Sequence, residues 1–169
     1  MTARPNAVTG EEVSAPFVLA PGQRHPDLPP ISWGPFIRVA SAHTDGLMAL
    51  MEVQLPPLTA GPNLHVHANE DEMFYVLGGV MTVQIGEELH EIAAGGLAWG
   101  ARGTAHAYAN RANEPLRLLI QLIPGGSEEL FAEMGAYLQN VDGAPDEEVT
   151  AAIMAGYGAT RVGPRISIP

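Results

Sequence analysis

The segment Gly61-Pro-Asn-Leu-His65-Val-His67-Ala-Asn-Glu-Asp-Glu72-Met-Phe-Tyr-Val-Leu-Gly-Gly79 carries two histidines one residue apart and then a carboxylate, in two short apolar runs divided by a polar turn. On a strand, residues i and i+2 project from the same face, about 6.5 to 7 Å apart at the backbone, so His65 and His67 can reach one ion. Glu72 opens the second run, after the turn Ala68 to Asp71, and can add a donor from a neighbouring strand. His106 stands on a later short run, with Tyr108 and Asn110 following on its own face. Three imidazoles and one carboxylate suit a borderline transition ion such as Fe, Mn, Ni, Cu or Zn, and poorly suit Ca or Mg.

The same texture extends on both sides. Apolar runs cover Phe36 to Ala40, Leu47 to Leu55, Leu64 to His67, Met73 to Leu77, Val80 to Ile85, Leu89 to Ala93, Leu97 to Trp99, Ala105 to Asn110 and Leu116 to Ile123. Turn signals such as Asp45-Gly46, Pro56-Pro57, Gly78-Gly79 and Gly95-Gly96 separate them. Strands this short at this spacing predict an all-β antiparallel barrel or sandwich over residues 36–126. Residues 1–35, broken by Pro26, Pro29, Pro30 and Pro35, read as an extended N-terminal arm. Past Pro124-Gly125-Gly126 the period changes. Ser127, backed by Glu128 and Glu129, resembles a helix start, and Leu130, Phe131, Met134, Tyr137 and Leu138 fall on one helical stripe. A second helix is expected from about Asp146 to Ala155, ended by Gly156. Residues 127–169 thus read as a C-terminal helical extension of the same single domain, an ordinary size for 169 residues.

Composition narrows the chemistry. A net charge of −11 repels phosphate backbones and anionic membrane surfaces, which excludes nucleic acid as a partner class. No apolar run approaches the roughly 18 residues of a membrane span, and Met1 to Gly10 has no signal-peptide pattern, so a cytoplasmic protein is expected. All eight basic residues are Arg and there is no Cys. Schiff-base lysines, thiolate nucleophiles, disulfides and Fe–S clusters are therefore ruled out, leaving His, carboxylates, Tyr, hydroxyls and metals.

The Gly61–Gly79 segment resembles the first motif of the cupin family, G-x5-H-x-H-x3-4-E-x6-G. Gly95 through Ala101, Gly103 and His106 to Asn110 is similar to the second, G-x5-P-x-G-x2-H-x3-N. Gly61 precedes His65 by fewer residues than the motif has, and Ala101 replaces the motif proline. Trp33 to His43, Leu55-Pro-Pro57, the Ile123-Pro-Gly-Gly126 exit and the Gly156-Tyr-Gly158 tail resemble single-domain cupins related to quercetin dioxygenases. The resemblance implies a jelly-roll β-barrel, one divalent transition metal per chain on His65, His67, Glu72 and His106, and a homodimer. It further implies a dioxygenase acting on a small phenolic, flavonol-like or polyketide-like substrate, with Glu72 serving both as ligand and as catalytic base. Two rivals stand beside it: a non-redox cyclase, isomerase or dehydratase using the same centre, and a small-molecule-binding cupin without turnover.

The remaining candidates divide by position. Phe74 and Val76 share the face of Glu72 and, with Tyr108 and Asn110, are expected to line the substrate pocket. Glu70 and Asp71 read as a solvated turn. His25, His43 and His90 read as surface histidines. Met48, Met51, Met73, Met81 and Trp99 are expected to pack in the core, and Glu52 and Gln54 face either the pocket or the outer barrel surface.

Overall fold

The computed structural model describes residues 4–5, 12–13, 15–28 and 34–169. The strands are β1 (Arg4–Pro5), β2 (Glu12–Val13), β3 (Phe36–Val39), β4 (Ala49–Leu55), β5 (Thr59–Ala60), β6 (Asn63–His67), β7 (Asp71–Gly78), β8 (Val80–Ile85), β9 (Glu88–Ala93), β10 (Leu97–Gly100), β11 (His106–Asn110), β12 (Leu116–Ile123) and β13 (Ala159–Arg165). Two helices, α1 (Leu130–Leu138) and α2 (Glu147–Gly156), precede β13. Every pairing is antiparallel. One sheet runs β10-β7-β12-β4-β3; the other runs β13-β6-β11-β8-β9, with β5 also paired to β11. Two such sheets face to face form the jelly roll that the short-strand pattern predicts.

Alternation builds the core. On β12, Leu116, Leu118, Ile120 and Leu122 are buried while Arg117 is exposed, and on β7 Glu72, Phe74 and Val76 turn inward while Tyr75 and Leu77 turn out. Each fully buried Leu or Ile stabilises the fold by about 1.5–3 kcal/mol. Met51 and Met81 join this core as expected, whereas Met48 and Met73 are half-buried. Trp99 does not join it. On the four-residue edge strand β10 it faces outward, 45% exposed, beside Leu97. Glu52 lies near Arg38, 3.7 Å away, and Gln54 is exposed, so that pair faces the outside.

β11 is covered on both sides. His106, Tyr108 and Asn110 face the interior, and Ala107 and Ala109 pack under Ile166 and Ile168 from the chain's last residues. Residues 127–169, expected as a helical extension, hold the two helices and a strand besides. After α2, whose N-cap Asp146 accepts from the Glu148 and Val149 amides, the chain returns as β13 along β6. The Ser127 hydroxyl does not cap a helix. A 3-10 turn comes first, and the buried Glu128 accepts from the backbone N–H of Ser41 and of Gly126, each at 2.6 Å. That carboxylate ties the β3–β4 turn to the exit of β12.

The arm is fastened over residues 15–28. Arg38 donates to the Gln23 carbonyl at 2.9 Å, and Leu28 packs on the core. His25 and His43, read as surface residues, are instead half-buried and packed together with ring centroids 4.2 Å apart, both against Phe17. His90 is exposed, as expected.

Candidate metal centre

β6 and β11 pair directly through His65 and His106, and β7 faces them from the other sheet with Glu72. The four side chains are all buried and offer donor atoms within 4.8 Å of one another. The Glu72 Oε2 oxygen lies 2.9 Å from His106 Nε2 and 3.2 Å from His67 Nε2. The four residues singled out by their spacing thus converge from three strands.

Their hydrogen bonds test whether an ion fits. A neutral imidazole can ligate through Nε2 only if its proton sits on Nδ1, which an acceptor beside Nδ1 enforces. His65 Nδ1 lies 2.8 Å from the Asn63 carbonyl oxygen, and His106 Nδ1 lies 2.9 Å from that of Thr104. His67 Nδ1 lies 2.6 Å from the Glu70 carboxylate. Each Nδ1 therefore faces an acceptor. The Nε2 atoms of His67 and His106 meet at Glu72. With one carboxylate and three nitrogen donors, the set fits a divalent transition ion. Gly100 allows the arrangement, because a Cβ there would stand 3.0 Å from His106 Nδ1.

A second group, His25, Asp27 and His43, also brings donor atoms within 4.8 Å. Its hydrogen bonding has the opposite sense. His25 Nδ1 accepts from the Asp27 amide and His43 Nδ1 from the Ala40 amide, which puts the neutral rings' protons on Nε2. That suits a packed aromatic cluster, not ligation. Burial, with His25 nearby, lowers the His43 pKa.

Electrostatics sharpens the roles in the metal-free centre. Burial lowers the His65 pKa to about 4. Burial also opposes charge on His67, but contacts with Glu70 and Glu72 outweigh it and raise that pKa to about 9. For Glu72 burial pushes upward, and the His106 and His67 contacts more than offset this, holding its carboxyl well below the usual range. The metal-free centre therefore holds a proton on His67 between two carboxylates.

Two expectations about neighbouring carboxylates are corrected. Glu70, read as solvated, is 3% exposed, because its turn folds inward against His67. Asp71 is half-buried and accepts from the Arg102 backbone N–H at 2.8 Å and from its side chain at 2.9 Å, pinning the loop that leads to His106. The cue missed was the carboxylate at i+3 from a strand histidine, within reach of its Nδ1.

Of the expected pocket residues, Phe74 approaches the centre, with ring centroids 5.7 Å from His106 and 5.5 Å from Tyr108. Burial, with the Glu72 charge adding to it, raises the Tyr108 phenol pKa. Val76 is fully buried in the core two residues beyond Phe74. Asn110 is fully buried, but its amide donates to the Leu55, Pro56 and Glu114 carbonyls and its oxygen accepts from the Ala112 amide. Its hydrogen bonds secure two loops, so its place is structural.

The Cupin domain family profile matches residues 51–121, which span all four donors. Residues 51–121 thus carry a cupin domain. Among solved structures it is similar to TT1209 from Thermus thermophilus, at 30% identity over 47% of this chain and 74% of that one, with a TM-score of 0.45. It is similar to a predicted oxalate decarboxylase from Thermotoga maritima, at 24% identity over 53% and 78% of the two chains, with a TM-score of 0.50. KdgF from Halomonas sp. matches at 16% identity over 54% and 78%, with a TM-score of 0.49. Among curated protein sequences none matches. Among the described residues, no helix is long and apolar enough to cross a membrane.

Proposed function

We propose that this cupin is a metal-dependent enzyme, and that its reaction is the dioxygenation of a small phenolic, flavonol-like or polyketide-like molecule. The observation that carries the metal dependence is the common orientation of the three histidines, each Nδ1 beside an acceptor and the rings gathered around one buried carboxylate. A divalent transition ion held there supplies Lewis acidity and, where redox-active, a path for electrons between an organic substrate and dioxygen. The protein's own groups do the rest. Glu72, the one carboxylate among the four converging donors, is assigned the proton of a substrate hydroxyl. Tyr108 stays protonated and donates a hydrogen bond to a substrate oxygen. Phe74 and the buried apolar side chains beyond it keep water away. Dioxygenation itself is supported by the likeness of Trp33 to His43, Leu55-Pro-Pro57, the Ile123 to Gly126 exit and the Gly156-Tyr-Gly158 tail to single-domain cupins related to quercetin dioxygenases, and the homodimer comes from the same likeness.

Exclusion of oxygen, or replacement of the native metal by Zn2+, must stop turnover while substrate still binds. A panel of phenolic compounds in an oxygen electrode, repeated in an anaerobic chamber, makes the test. Undiminished anaerobic turnover eliminates the dioxygenase and selects the second reading, a non-redox isomerase, cyclase or dehydratase. The placing of a carboxylate, Glu72, and a phenol, Tyr108, on inward faces around Phe74 is the observation behind that reading, since neither group needs electron transfer to act on a substrate.

A further inference from the structure

Of the three histidines, His65 and His106 present Nδ1 to backbone carbonyls, whereas His67 presents it to a carboxylate. That carboxylate, Glu70, is nearly inaccessible to solvent, and a buried carboxylate is costly unless something compensates it. Glu70 Oε1 stands 2.6 Å from His67 Nδ1 as an ion-pair contact that is not aligned as a hydrogen bond, and neither buried atom has any hydrogen-bond partner, so each is left to the other. Glu70 lies across the His67 ring from Glu72, on the Nδ1 side, and is not among the four converging donors.

The turn that delivers it is held from outside. The Ala68 N–H donates to the Gly158 carbonyl at 2.9 Å, and a Cβ on Gly158 would run into the Asn69 side chain. Gly158 has a φ of +74°, a conformation that favours glycine. On the other side of His67, the Gly103 N–H donates to its carbonyl at 2.7 Å. The backbone and ring of this one histidine are thus constrained from both sides.

We propose that Glu70 is a positioning residue for the metal centre: it keeps the His67 proton on Nδ1, aims Nε2 at the ion and makes this imidazole the most electron-rich of the three. This rests on the metal-dependent reading above. Carboxylates placed behind a ligating histidine typically change metal affinity by about 10- to 100-fold.

The test uses Co2+ alone as probe, with affinity from chelator competition and the visible d–d absorption as a report on ligand geometry. Wild type, Glu70→Gln, Glu70→Ala and His67→Ala are compared, and thermal unfolding of each metal-free protein is read separately. Glu70→Ala is expected to weaken Co2+ binding by about 10- to 100-fold and to shift the absorption bands. Glu70→Gln keeps an acceptor without its charge, so it should fall between Glu70→Ala and wild type in both readouts. A Glu70→Ala protein that binds within twofold of wild type with an unchanged spectrum, while His67→Ala loses the ion, overturns the proposal and leaves Glu70 as an anchor of its turn. If Glu70→Ala fails to fold, an unchanged affinity and spectrum for Glu70→Gln overturns it instead. A wild-type protein that takes up no Co2+ overturns the metal reading itself, which the wild-type arm distinguishes from a failure of Glu70 alone.

Discussion

Raising the pH from 7 to 9 should tighten metal binding by about 50-fold, because an incoming ion must displace the proton on His67. The His67 pKa of about 9 leaves the ring roughly one per cent deprotonated at pH 7, a penalty of about 3 kcal/mol that fades by tenfold in affinity per pH unit. His65, with a pKa of about 4, and Glu72, held ionised, have no proton to give in that range. Through His67 the slope should be close to one proton near pH 7 and fall to half a proton at pH 9. Chelator competition at pH 7, 8 and 9 gives the affinities, and calorimetry in buffers of different ionisation enthalpy counts the protons released. A flat affinity from pH 7 to 9, or zero proton release at pH 7, would refute the reasoning and mean that His67 is neutral between its two carboxylates.

The stability of the metal-stripped protein should peak near pH 6.5. The His67 pKa is raised in the folded state, so its contribution is complete below about pH 6.5 and is lost as pH climbs through 9; the His65 pKa is lowered, so its contribution is complete above about 6.5 and is lost as pH falls through 4. Urea titrations with EDTA at pH 5, 6.5 and 9 check both limbs. Glu128→Gln should cost about 1–3 kcal/mol in a thermal or urea melt, since one of the two backbone amides it satisfies then faces an NH2 group. Gly100→Ala should leave the fold intact but weaken metal binding by about tenfold, because its Cβ would press on a His106 ring that Thr104 holds at 2.9 Å. Gly78→Ala, where a Cβ meets open space, is the silent control.

The barrel strands were legible because short alternating runs between turn residues are diagnostic by themselves. The candidate metal centre was legible because H-x-H fixes a face and Glu72 and His106 complete a donor set. What escaped depends on contacts remote in sequence. Glu70 sits in a polar stretch whose burial follows from the hold of Gly158 on the turn, which no local pattern reports. β13 escaped because Ala159 to Arg165 buries only one residue, so it has no alternation to read, and its pairing with β6 defines it. A four-residue strand such as β10 alternates too briefly to say which face Trp99 occupies. Asn110 shares the His106 face, but the carbonyls of Leu55 and Pro56, remote in sequence, and of Glu114, four residues on, claim its amide. His25 and His43 meet only because Arg38 fastens the arm beside β3.

The pairing of β13 with β6 also sets an order of events during synthesis. The strand bearing His65 and His67 leaves the ribosome long before Ala159 to Arg165 exist to cover its open edge, and before Gly158 can hold the Glu70 turn in place. His106 and Glu72 can find each other while the chain is still growing, but the surroundings of His67 are completed among the last. A chain cut short after α2 would present the donors of His65, Glu72 and His106 with the His67 side of the centre still uncovered.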